Sequence, residues 1–75
     1  MNHHFSDRRQ AFYRSVKRYS SIDARQLKKI VAERRIPIRA RAAALRVLTC
    51  TAPLEITQGR PYAERRRLVR KHHNI

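Results

Sequence analysis

Apolar residues recur three and four positions apart along most of this chain, a period that sets out helices separated by short polar breaks. The longest apolar stretch is Ile36–Ala52. Within it Ile38, Ala42, Leu45, Thr49 and Ala52 fall on one helical face. Ala40, Ala43, Ala44, Val47 and Cys50 leave the other side nearly as apolar, interrupted by Arg39 and Arg46. A helix apolar most of the way round is covered by neighbours on more than one side. This stretch is therefore expected to be the buried element. Pro37 suits its first turn, where a missing N–H costs nothing, and Pro53 stops it.

Two helices are expected before it. Ser6-Asp7 after Phe5 makes a helix start, with a capping side chain and an acid in the first turn. Phe12, Val16 and Tyr19 then form a stripe read as helix packing rather than base stacking. Ser20-Ser21-Ile22-Asp23 resembles a capping box, with Ser20 as the cap. The second helix carries Leu27, Ile30 and Val31, with Ala24 and the stem of Arg34, on its apolar face. It is expected to end near Arg35-Ile36, where Arg34 and Arg35 complement the negative end of the helix dipole. The short turn that follows predicts an angled hairpin of the second helix with the central one.

The pattern changes after Pro53. Leu54–Thr57 alternates over too few residues to define a strand, and Gln58–Pro61 reads as a loop. Gly59, the chain's one glycine, is expected to supply a positive-φ turn or a close backbone approach. A fourth helical segment begins at Tyr62. Its apolar edge of Tyr62, Leu68 and Val69 is thin, and Arg66, Arg67, Arg70 and Lys71 lie opposite. An edge so narrow predicts a tail that orders only when a partner neutralises it. The expected fold is all-α, a single small domain over 1–75. It has three to four short helices, an extended basic loop and tail, and little independent core. Residues 5–52 form the helical part, and 53–75 the loop and basic C-terminal segment.

Charge decides what such a fold is for. The 75 residues hold 19 Lys plus Arg against 5 Asp plus Glu, a formal charge of +14. Self-repulsion of that size opposes compaction, and a polyanionic partner relieves it. Arginine outnumbers lysine, and the guanidinium forks onto phosphate oxygens and stacks on bases, which favours nucleic acid. The candidate contacts are Arg8, Arg9, Lys17 and Arg18 on the first helix, and Lys28 and Lys29 on the second. Arg39, Arg41 and Arg46 on the central helix join them, with Arg60, Arg65, Arg66, Arg67, Arg70 and Lys71 towards the C-terminus. The last group is the densest, with only Glu64 nearby to compensate.

Other chemistries find little footing. The sequence has no Gly-rich phosphate loop, no His-Glu metal motif and no nucleophile with an evident base, so no enzyme, cofactor or small-molecule substrate is expected. Cys50, the single cysteine, precludes an intrachain disulfide and reads as a small core residue. The pairs His3-His4 and His72-His73 are adjacent residues that diverge on a helix, so no metal site is expected. No run approaches the roughly 20 apolar residues of a membrane span. The N-terminus has neither the apolar core of a secretory signal nor, with Asp7 interrupting it, the look of a cleavable organellar presequence. A helix-turn-helix DNA reader built from the second and third helices, acting as a regulator or nucleoid protein, is one alternative. Its turn carries Pro37 in place of glycine, and its reading helix offers mostly alanines, with no Asn or Gln for base edges. A basic effector docking on an acidic protein is another.

The order of short motifs resembles the small-subunit ribosomal protein S fourteen family in its zinc-free bacterial and mitochondrial form. Phe5-Ser6-Asp7-Arg8-Arg9 is similar to the family's basic N-terminal helix. Arg25-Gln26-Leu27-Lys28-Lys29-Ile30-Val31 resembles its Arg-x-Leu-Lys-x-Ile-Ile segment. Ile36-Pro37 followed by Arg41, Leu45 and Leu48 is similar to its Leu-Pro-x-x-x-Arg helix. Thr57-Gln58-Gly59-Arg60-Pro61 resembles an altered Thr-Gly-Arg-Pro loop. The linker before that loop is shorter than in the family. The Arg-Lys-Phe-Gly-Leu-Ser-Arg run is scrambled into Arg65–Lys71, and the Lys-Lys-x-Ser-Trp terminus is missing. The resemblance implies a structural protein on the rRNA of the small-subunit head, beside the small-subunit proteins numbered three, ten and nineteen. A shortened C-terminus implies a mitochondrial ribosome, with a bacterial or other organellar ribosome as the alternative.

Overall fold

The computed structural model describes residues 3–75, with side chains from Asp7 onward. Among these residues the chain is all-helical. α1 spans His3–Tyr19, α2 Ala24–Ala32, α3 Ile38–Cys50, α4 Leu54–Thr57 and α5 Tyr62–His73. α1, α2 and α5 all pack on α3, and α4 packs on α5. The all-round apolar character of Ile36–Ala52 thus has the expected consequence: three helices share one central partner.

The core is small. Leu27 and Val31 of α2, Ala44, Leu45, Val47 and Leu48 of α3, and Val69 of α5 form one buried cluster. Val16, Tyr19, Ile22, Ile30, Ala52 and Ile75 pack against its edge. Ala43 and Ala44 are fully buried, and side chains that small let neighbouring helices approach the α3 backbone closely. Thr49 sits in this apolar surface because its hydroxyl donates to the Leu45 carbonyl at 2.7 Å, so no polar group is left unpaired there. The face reading was half right. Leu45 and Thr49 are buried, whereas Ile38 and Ala42 are exposed. Cys50, expected in the core, is exposed at the last turn of α3, on the side away from the buried Leu48 and Thr49.

Helix ends depart from the expected caps for local reasons. α1 already runs from His3, so Asp7 lies inside the helix rather than at its start. The side chains of His3, His4, Phe5 and Ser6 lie outside the described residues. The cap of α2 is Asp23, whose carboxylate accepts from the Gln26 N–H at 2.9 Å. Ser20 turns back instead, donating to the Lys17 carbonyl at 2.6 Å. α2 stops at Ala32 with Glu33 as C-cap. The Glu33 carboxylate accepts from the Arg35 N–H at 3.0 Å, which holds Arg34 and Arg35 in a turn beyond the helix. Pro37, Pro53 and Pro61 each stand at the N-cap of the next helix, α3, α4 and α5.

The C-terminal segment is where the structure differs most from expectation. Leu54–Thr57 forms one helical turn, and Gly59 follows it with φ of +74° as anticipated. Tyr62–His73 is the helix expected from Tyr62, and it is docked on α3 rather than left as a tail that orders only on a partner. Val69, fully buried, is its anchor. Asn74 adopts the left-handed conformation at φ of 58°, and the Ile75 N–H donates to the Arg70 carbonyl at 2.9 Å. This helix-ending motif turns Ile75 back onto the core cluster. An apolar edge too thin by itself is thus supplemented at both ends, by α4 and by Ile75.

Candidate nucleic-acid interface

The core-facing side of α3 is sequestered, and basic side chains are displayed by its exposed first turns and by the helices around it. Three hollows form a chain across the start of α3. The first is lined by Arg8, Arg9, Phe12 and Tyr13 of α1 together with Arg39 of α3. The second lies between Ala11 and Ser15 of α1 and Pro37–Ala40, and shares Arg39 with the first. The third is a groove of about 570 Å³ that shares Ile38 with the second and is lined by Arg41, Arg66, Arg67 and Arg70. Its remaining lining is apolar: Val31, Ile38, Ala42, Leu45 and Ala63. No acidic residue lines any of the three.

Local structure explains why these cations converge. Arg8 and Arg9 lie one turn before Phe12 and Tyr13 on α1, so rings and guanidiniums share a face. Arg66 and Arg67 lie one turn before Arg70 on α5, and Val69 fixes that helix against α3. Arg41 has the most defined position. Its Nε–H donates to the Ile36 carbonyl at 3.0 Å, a half-buried bond across the proline that opens α3. That bond orients the guanidinium plane and leaves its terminal nitrogens free to donate.

A second cluster lies round Tyr62, at the start of α5. The Arg46 guanidinium carbon is 4.7 Å from the ring centroid, with Arg65 at 5.6 Å and Arg66 at 5.9 Å. Cations over a tyrosine face are attracted by the ring quadrupole, so one aromatic ring gathers three guanidiniums from two helices. The Nε of Arg65 is enclosed there and has no acceptor among the protein's own groups.

Of the residues singled out from the sequence, Arg8, Arg9, Arg39, Arg41, Arg66, Arg67 and Arg70 meet along the track, while Arg46 and Arg65 join Arg66 at Tyr62. Lys17 belongs to a shallower hollow on α1 with Arg9, Gln10, Tyr13 and Arg14. Arg60 is engaged by Glu64 at 2.8 Å, one turn away. Arg18, Lys29 and Lys71 are exposed but line none of these hollows. Lys28 stands near His73, whose pKa is lowered by burial and then by the neighbouring charges of His72 and Lys28. Sequence reasoning passed over Tyr13, Arg14 and Ile38. Tyr13 is 55% exposed between cations, and the spacing Arg9, Tyr13, Lys17 could have disclosed that face. Ile38 could not have been found this way, because its period assigns it to the core.

No family model, no curated protein and no solved structure matches the chain.

Proposed function

We propose that this protein is a structural constituent of the small ribosomal subunit that binds the rRNA of the subunit head through arginine–phosphate contacts. Its neighbours there would be the head proteins that the resembled family touches, those numbered three, ten and nineteen. The ribosome would be mitochondrial, or else bacterial or of another organelle. The observation that carries this reading is the convergence of arginines from α1, α3 and α5 on one acid-free track. RNA helices are recognised mainly through backbone and shape, and forked guanidiniums without a base-reading pattern suit that task. The Arg41 bond to Ile36 adds a physical reason for the Ile-Pro-x-x-x-Arg spacing on which the resemblance partly rests.

A helix-turn-helix reader fits less well, since its reading helix would be α3, whose exposed first turns offer Ile38, Arg39 and alanines and no Asn or Gln for base edges. A nuclease-insensitive complex with one acidic protein would favour the effector alternative.

Sedimentation tests the proposal. The tagged chain, run on a gradient at low salt, should travel with the small-subunit particle and be released by ribonuclease. Finding it only at the top of the gradient would end this reading. Replacing Arg66, Arg67 and Arg70 by Gln should preserve helix content and reduce the slope of log affinity against log salt by about 2 for a single strand. An unchanged slope would mean that these side chains touch no phosphate.

A further inference from the structure

The groove between α2, α3 and α5 combines two surfaces that a plain phosphate patch does not need together. Four arginines line it, yet Ile38, a large aliphatic side chain, is 76% exposed in its lining. A duplex backbone presents phosphates and hydroxyls and gains nothing from an isoleucine. An unpaired nucleotide presents an anion and a flat apolar ring side by side. Single-strand binders combine cationic grooves with aromatic platforms, and here the apolar surface beside the cations is the aliphatic Ile38.

The apolar part of the lining is limited in extent. Besides Ile38 it offers two alanines and the edges of Val31 and Leu45. That is enough apolar surface for a ring and short of the continuous trough that an acidic amphipathic helix requires. Arg41 supplies the fixed point. Its Nε bond to the Ile36 carbonyl sets the guanidinium plane three residues from Ile38, so phosphate and ring contacts are held at a constant offset.

We infer that this groove holds an unpaired nucleotide of the bound RNA, its base against Ile38 and Ala42, its own phosphate held by Arg41 and the adjoining phosphates by the arginines of α5. The inference rests on the RNA-binding reading above and narrows it to one site and one state of the nucleic acid.

Fluorescence anisotropy with the full chain tests it, using a short unstructured RNA and an RNA duplex of equal length at one salt concentration. Arg41→Gln should weaken single-strand binding about tenfold and Ile38→Ser about fivefold, with duplex binding reduced less than about threefold. Ile38→Phe, at an exposed position that tolerates the ring, should strengthen single-strand binding and leave duplex binding unchanged. Circular dichroism of each variant verifies that the helices persist. Equal losses on both RNAs, or no gain from Ile38→Phe, would overturn the groove assignment while leaving RNA binding intact. Failure of the unaltered chain to bind either RNA, with capture of an acidic helical peptide instead, would overturn this inference and the proposed function together.

Discussion

α2 brings Leu27 and Val31 to α3 and buries both, whereas α5, three residues longer, buries Val69 alone. The two helices lean on the same partner but are held there differently. α2 is an ordinary amphipathic helix, with an apolar stripe against the core and cations facing water. α5 gives half of its residues to charge, and its position depends on one buried valine, the turn of α4, the ring of Tyr62 and the returning Ile75. A helix can therefore be placed with little apolar surface of its own if its ends are tied. The arginines of α5 are presented from a defined backbone for that reason.

Breaking each anchor in turn sharpens the contrast. Leu48→Ala, in the helix both partners share, should cost about 2–5 kcal/mol and lower the denaturant midpoint of the whole chain. Val69→Ala should cost about 2 kcal/mol. Hydrogen exchange should show that loss concentrated in α5, with α2 keeping its protection; a uniform loss would mean that α5 is no separate unit. Asp23→Ala removes the α2 cap and should cost about 1 kcal/mol, with faster exchange at the Gln26 amide. The smallest effect belongs to His73. Its depressed pKa means that the folded chain binds this proton less readily than the unfolded chain does. Stability from this group is complete above the ordinary value of 6.5 and is lost as pH falls through the lower folded value. His73→Gln should flatten the acid side of the stability profile in that window, and an unaltered profile would remove His73 as its source.

What the sequence disclosed, and what it withheld, follows the same division. The centrality of Ile36–Ala52, the packing stripe of α2 and the positive φ at Gly59 were legible, because each depends on a local period or a single backbone preference. The helix beginning at Tyr62 was legible as well, but its docking was not, because its hold lies in contacts from outside its own sequence, α4 and Ile75. Ser20 was misassigned as a cap because Asp23 competes for the same turn with a stronger acceptor. The seven arginines of the track were identifiable from charge alone. Their grouping was not, since it depends on which faces α3 leaves open, and Ile38 was concealed by a period that assigns it inward.

The three prolines have a consequence for the chain before it folds. Each stands at a corner and opens a helix that has no side-chain cap, so the helix starts depend on stiffness rather than on a hydrogen bond. Proline fixes its own φ and confines the residue before it, here Ile36, Ala52 and Arg60, to extended backbone. The unfolded ensemble therefore has fewer shapes to give up at these corners. In a chain carrying +14 charges, part of the ordering against self-repulsion is already present in the covalent structure.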